Sequence, residues 1–322
     1  MSRAGFASLV GRPNAGKSTL LNRMVGTKVA IVSDKPQTTR NRIVAVKNLP
    51  GGQIVFVDTP GIHRPLHRLN VRMVDAALET LREVDVVALI FDASTEPGRG
   101  DDYVSNLLKD VKRPVILVLN KIDLITKTRL LPLMEQAQRW HDFAAIVPVS
   151  AETGDGVDGL ENVLLEHLPE SEPIYPEDFL TDQAERTLVA EMVREQVLRN
   201  TRHELPFSTA VVVDQFDESE RNSSTRSGDS ELVPSRSGQG LLRLYCTIYV
   251  ETESQKPIVI GRGGEMIKRI GTEARKAMEA FFETKVFLDL RVKVDPAWRD
   301  NDRTLDEIGV PRTTRKPQRT RR

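Results

Sequence analysis

A single cysteine, Cys246, in 322 residues leaves no partner for an internal disulfide and no set for a Cys-based zinc site. That scarcity fits a reducing cytoplasm. No apolar run approaches the roughly 20 residues that span a bilayer, and the N-terminus has no signal-peptide apolar core. The expectation is a cytoplasmic chain. Net charge is missing too, since 46 basic and 46 acidic residues cancel to +0. The balance is uneven along the chain. Acids crowd residues 152–185 and the C-terminal end is basic, which allows an anionic partner for the second half. What is present is a globular composition, 39% hydrophobic and 29% charged, in a chain long enough for two domains.

The most informative stretch is Gly11-Arg12-Pro13-Asn14-Ala15-Gly16-Lys17-Ser18, followed by Thr19. It fits G-x-x-x-x-G-K-[ST] between an apolar strand, Phe6–Val10, and a helix, Thr19–Met24. A glycine turn there gathers backbone N–H groups, and the helix N-terminus adds partial positive charge, which suits a phosphate chain. Lys17 would reach the terminal phosphates, and the Ser18 hydroxyl would ligate Mg²⁺. A glycine-rich turn with a chance Lys-Ser after it is the plainer alternative.

Strand ends continue the pattern. Ile43–Val46 and Gln53–Val57 read as strands, with Leu49–Gly52 as a hairpin turn between them. The second delivers Asp58-Thr59-Pro60-Gly61, where an Asp can hold Mg²⁺ through water and a Gly admits a terminal phosphate. Residues 66–83 and 101–109 suit helices, around the buried strand Val86–Asp92. Val115–Leu119 ends in Asn120-Lys121-Ile122-Asp123, whose Asp123 carboxylate can accept from N1–H and the 2-amino group of guanine. Adenine lacks both donors, so such a site rejects it. Helix 129–140 and strand Ala144–Val149 lead to Ser150-Ala151-Glu152, whose backbone N–H groups could meet the guanine oxygen; helix Glu161–His167 closes the domain. Alternating strands and helices imply a doubly wound α/β sheet.

Residues 168–178 are proline-rich and acidic and read as a stiff linker. Thr181 is expected to cap a helix running to about Asn200. Strands are expected over Phe207–Phe216 and Leu241–Glu251, separated by a disordered insertion, 217–240. Then Gly261-Arg262-Gly263-Gly264 interrupts two helices, with Lys268 and Arg269 just beyond. Glycines admit a nucleic-acid backbone and the cations attract phosphate. The loop matches the GXXG clamp of a KH domain, which holds about four nucleotides of single-stranded RNA. The order helix–strand–strand–helix–helix–strand, ending in Val286–Val294, is that of a type II KH fold. Ile258, Ile260, Met266 and Ile270 are expected to be partly core and partly a base platform, mostly core.

In order, Gly11–Ser18, Thr39, Asp58–Gly61, Asn120–Asp123 and Ser150-Ala151 resemble the five nucleotide motifs of translation-factor-like GTPases. With Gln37-Thr38-Thr39-Arg40 and the C-terminal KH pattern, the chain resembles the Era family of bacterial GTPases over nearly its whole length. The resemblance implies an α/β P-loop G domain over 1–168, a linker over 169–180, and an α+β KH domain over 181–295. A C-terminal helix and basic tail would fill 296–322.

The family also implies GTP/GDP and Mg²⁺ as cofactors. Lys17, Thr39 and Gly61 would be catalytic, with Ser18, Thr39 and Asp58 (through water) about the metal. Ile62 stands where many GTPases carry a water-orienting glutamine, which implies slow hydrolysis; His63 is weighed as a substitute base and read as a solvated surface residue. The implied partners are 16S rRNA near its 3′ end and the 30S subunit, with a role in 16S rRNA processing and 30S biogenesis, for a monomer. The alternative is a GTPase peripheral to the inner face of the cell membrane, linked to cell cycle or metabolism. The tail, with Arg312, Arg315, Lys316, Arg319, Arg321 and Arg322, would add phosphate contacts or serve only solubility.

Overall fold

The computed structural model describes the chain apart from residues 1, 34–38, 41, 61–67, 97, 110, 202–204, 206–207, 222–239, 311 and 313–322. Gln37, Thr38, Gly61, Ile62, His63 and all tail cations but Arg312 thus lie outside the described residues, as does most of the expected insertion. The chain divides into two compact units, Met1–Gln183 with Gly309–Arg322, and Ala184–Ile308.

In the first unit the order is β1 (Arg3–Val10), α1 (Lys17–Val25), β2 (Ile43–Leu49), β3 (Gly52–Asp58), α2 (Arg68–Glu83) and β4 (Val86–Asp92). It continues with α3 (Arg99–Leu108), β5 (Val115–Asn120), α4 (Lys127–Ala137), β6 (Ala145–Pro148) and α5 (Val157–Glu166). The sheet runs β2-β3-β1-β4-β5-β6, and only the β2–β3 hairpin among these pairs is antiparallel. β1, β3, β4 and β5 are almost wholly buried, as strands covered on both faces must be. Alternate residues feed two cores. Leu9, Phe56, Ile90 and Val118 pack with Leu20, Leu21 and Met24 of α1 and Leu160 and Leu164 of α5. Val57, Leu89, Phe91 and Leu117 pack with Ala77 and Leu81 of α2, Val104 and Leu108 of α3 and Ala137 of α4. This is the doubly wound arrangement expected.

Register decides where the strands end. Leu9 lies beside Asp58, and Asp92 beside Asn120. The carboxyl ends of β1, β3, β4 and β5 therefore share one edge, with the loop after β1 at its centre. Residues read as a linker are laid along β2. Val46 N–H donates to Leu180 O at 3.0 Å, and Thr181 bridges Ala45 as a short antiparallel pair.

The second unit comprises α6 (Glu185–Asn200), β7 (Ala210–Glu220), β8 (Leu241–Val250), α7 (Lys256–Ile260), α8 (Glu265–Phe282), β9 (Lys285–Val294) and α9 (Asp302–Glu307). Its sheet runs β7-β8-β9, antiparallel then parallel. One face, with Val211, Val213, Leu244, Cys246 and Ile248, packs on Val189, Val193 and Val197 of α6 and Ile270, Ala274 and Met278 of α8. Cys246 sits within this core, and burial pushes its thiol up to about 12.

Two expectations are corrected. Thr181 is not a helix cap: α6 begins at Glu185, and the Thr181 hydroxyl donates to Val44 O at 2.6 Å. Residues 217–220 belong to β7, where Asp217 faces Arg243 and Glu220 faces Leu241, so the strand outruns the expected start of the insertion. On the face read as part core and part base platform, Ile270 is buried and Ile258 half exposed, and Val259 also fills the core.

Candidate functional site

Gly16 ends the loop after β1 and opens α1 with φ 93°, a left-handed conformation that suits glycine. A Cβ there would also collide with the Asn120 amide. The chain thus turns sharply from strand to helix with Lys17 and Ser18 at the helix start. Lys17 is buried, and its Nζ donates to Gly11 O and Arg12 O, both at 3.1 Å. Burial holds its ammonium below the usual lysine range, partly offset by Asp58. Ala15 is core, while Pro13 and Thr19 are half-buried.

Ser18, Thr39 and Asp58 come together although far apart in sequence. Ser18 Oγ is 2.8 Å from Thr39 Oγ1, and the two hydroxyls donate to Asp58 Oδ2 at 3.3 and 3.0 Å. Burial pushes the Asp58 carboxyl up to about 6, against the pull of Lys17 and these hydrogen bonds. Its second oxygen, Oδ1, is buried with no hydrogen-bond partner among the described residues. Two hydroxyls and a carboxylate with an unused oxygen are a hard-oxygen set, which fits Mg²⁺. Ser18, Thr39 and Asp58 would hold the ion, which supplies charge neutralisation to a phosphate chain. Thr59 turns inward, its hydroxyl donating to Leu9 O at 3.0 Å, and Pro60 is buried. Gly61 and Ile62 lie outside the described residues.

Across the edge, Asn120 is a strut. Its Nδ2 donates to Ala15 O at 2.8 Å and its Oδ1 accepts from Ala151 N–H at 3.0 Å. It joins the loop after β1 to the loop after β6. Lys121 has φ 66° and its Nζ pairs with Asp92 at 2.7 Å. Burial alone would raise the Asp92 carboxyl, but hydrogen bonds from Lys121 and Ser94 bring it below the usual range. Asp123 is exposed, and one oxygen, Oδ1, accepts from Ser150 Oγ at 2.6 Å. The hydroxyl fixes the orientation of the carboxylate.

Two supports were not legible in the sequence: Arg23, which lies outside any motif, and the outward reach of Arg12 from its motif. Arg23 of α1 donates from Nε to Ala151 O at 3.1 Å and also to Glu152 O, so it holds the third loop. Arg12 reaches out of the first loop to Asp101 at 3.3 Å and to Thr95. Both depend on loops meeting in space. Asp92 was readable as a strand-end acid, its pairing with Lys121 was not.

In the second unit Gly261, Gly263 and Gly264 have φ of 77°, 59° and 83°. At Gly261 a Cβ would strike Met266; at Gly263 and Gly264 nothing lies near, so the backbone is open to a close approach. Arg262, Lys268 and Arg269 are exposed around this turn, Arg269 paired with Glu273 at 3.2 Å. Such a turn, bare of side chains and flanked by cations, can receive a sugar-phosphate backbone.

Comparison with known proteins finds two family matches in the chain. Residues 6–121 match the family described as 50S ribosome-binding GTPase, and residues 233–299 match the KH domain family. GTPase Era of Geobacter sp. (strain M21) is 49% identical over 307 residues, 95% of this chain and 97% of that protein. GTPase Era of Heliobacterium modesticaldum is 44% identical over the same shares. Among solved structures, a point variant of Aquifex aeolicus Era bound to GDP.AlF4- has a TM-score of 0.87 at 38% identity, covering 96% of this chain and 99% of that one. Era in complex with MgGDPNP and nucleotides 1506–1542 of 16S ribosomal RNA has a TM-score of 0.88 at 39% identity, over the same shares.

Proposed function

The chain belongs to the Era family of GTPases, and from that membership we propose that it is a slow GTP-driven switch that binds 16S rRNA near its 3′ end. It hydrolyses GTP to GDP and phosphate with Mg²⁺. The observation that carries the reading is the row of strand ends, in which Ser18, Thr39 and Asp58 meet and Asp123 is oriented by Ser150. One relative of the same architecture is bound to MgGDPNP and a 16S rRNA segment, which supports extending both ligands to this chain.

In this reading Lys17 leaves the Gly11 and Arg12 carbonyls for the phosphates and neutralises charge that develops on transfer. Ser18, and Asp58 through water, would hold the metal, and Thr39 would close on it together with the terminal phosphate. Gly61 lets its N–H approach the same phosphate. The Ile62 side chain has no polar group to orient water, so hydrolysis is slow. Asp123 selects guanine through two hydrogen bonds. The KH turn, Gly261–Gly264 with Lys268 and Arg269, holds the RNA. The biological role in this reading lies in 16S rRNA processing and 30S subunit biogenesis.

The test is cross-linking of RNA to the full chain in cells, followed by recovery with GDP or a non-hydrolysable GTP analogue. Enrichment of the 3′ end of 16S rRNA is expected; RNA without that enrichment would refute the assignment. The membrane reading draws on the basic tail. Among the described residues no helix is long and apolar enough to cross a membrane. Flotation with anionic liposomes, with and without residues 311–322, decides whether the surface of one is used.

A further inference from the structure

The segment that leads out of the first unit closes on both stems of the loop that carries Thr39. Val29, before the loop, is held on each side of its peptide. Its N–H donates to Asn22 Oδ1 of α1 at 2.9 Å, and its carbonyl accepts from Gln183 Nε2 at 3.0 Å. Val44, after the loop, is held likewise. Its N–H donates to Asp182 Oδ1 at 3.3 Å, and its carbonyl accepts from Thr181 Oγ1 at 2.6 Å.

These three residues are themselves anchored. Upstream, Gln53 is buried in β3 and its Oε1 accepts from Ile174 N–H at 2.8 Å and Tyr175 N–H at 2.9 Å. Its Nε2 returns a bond to Tyr175 O at 2.8 Å. Tyr175 and Phe179 stack at 4.4 Å over Val44, Val46 and Val55. The strap is fixed along its length, so its last residues meet Val29 and Val44 at defined places. Just beyond Gln183 the chain enters α6 at Glu185.

We propose that Thr181, Asp182 and Gln183 are positioning residues for Thr39. Fixing both stems lowers the conformational cost of bringing the Thr39 hydroxyl to Ser18 and Asp58. The effect falls on the nucleotide state that needs Thr39. GTP, with its terminal phosphate, feels the clasp, and GDP does not. This rests on the GTPase reading above.

The experiment uses the full chain with Gln183→Glu, Gln183→Ala and Thr181→Val, and with Thr181→Ser as the conservative control. Affinities for fluorescent GDP and a non-hydrolysable GTP analogue are measured beside kcat and KM for GTP. Each loss of a neutral hydrogen bond is expected to weaken the GTP analogue and lower kcat by roughly two- to tenfold. GDP affinity stays at the wild-type value, and Thr181→Ser behaves as wild type. A merely structural role would lower the thermal midpoint and shift both nucleotides together, and that result overturns the proposal. Unchanged variants in a wild-type chain that hydrolyses GTP refute the clasp alone. A wild-type chain that binds ATP and GTP alike refutes the GTPase reading, and the clasp falls with it.

Discussion

Asn120→Ala removes a side chain that ties the first and third loops of the nucleotide edge. Two hydrogen bonds are lost, 2.8 Å to Ala15 O and 3.0 Å from Ala151 N–H. Asn120 is 1% exposed, so water does not replace them at once. Each neutral bond contributes about 0.5–1.5 kcal/mol net, and stranding a buried partner raises the cost toward 1–3 kcal/mol. The pair therefore amounts to about 2–4 kcal/mol, somewhat under the upper sum because two loops at the surface relax. Part of this falls on the fold and part on nucleotide binding, which needs both loops in place. Denaturant unfolding without nucleotide gives the first share, and titration with fluorescent GDP gives the second. About 1–2 kcal/mol in binding corresponds to roughly five- to thirtyfold weaker GDP. If stability and GDP affinity each change by less than twofold, Asn120 is not a strut and the account of this edge is wrong.

Asp123→Asn exchanges two charge-assisted hydrogen bonds to guanine for a mismatched donor, and GDP affinity should fall by roughly tenfold to a hundredfold. Xanthosine diphosphate, with an acceptor in place of the 2-amino group, should gain affinity in the same titration; no gain would refute the role of Asp123. Arg262→Ala and Lys268→Ala should weaken RNA binding and each reduce the salt slope of log K by about 0.7–1. An unchanged slope would remove these cations from the interface. Cys246 is buried in the sheet core with its thiol pushed up to about 12, so at pH 8 it stays protonated and shielded. A thiol reagent should label it only after denaturation, and rapid labelling of the native chain would contradict the packing of β8.

Strand-end chemistry was legible because parallel strands in register must finish together. Gly11–Ser18, Asp58, Asn120 and Ser150 each follow an apolar run, and the runs are neighbours in the sheet. What could not be read is which partner a polar side chain finds across the fold. Thr181 has a cap-forming side chain, yet its hydroxyl meets Val44, while Ala184 opens α6 without a side-chain bond. Arg23 has no motif, and its role exists only because α1 passes beneath the Ala151 carbonyl. In α7, five residues are too few for helical period to separate Ile258 from Val259. Acidic, serine-bearing 217–220 looks disordered by composition, but the Arg243–Glu220 pair at 3.2 Å accompanies a strand.

If the chain is the GTP-driven switch proposed above, the nucleotide bound to the first unit sets how well the second holds RNA. This coupling is tested most directly by fluorescence anisotropy with a labelled RNA of the 16S 3′ end, at fixed salt. The full chain is titrated with Mg²⁺ and either GDP or a non-hydrolysable GTP analogue. The account expects the two affinities to differ by about fivefold or more, a coupling of roughly 1 kcal/mol. Equal affinities in the two states would contradict it.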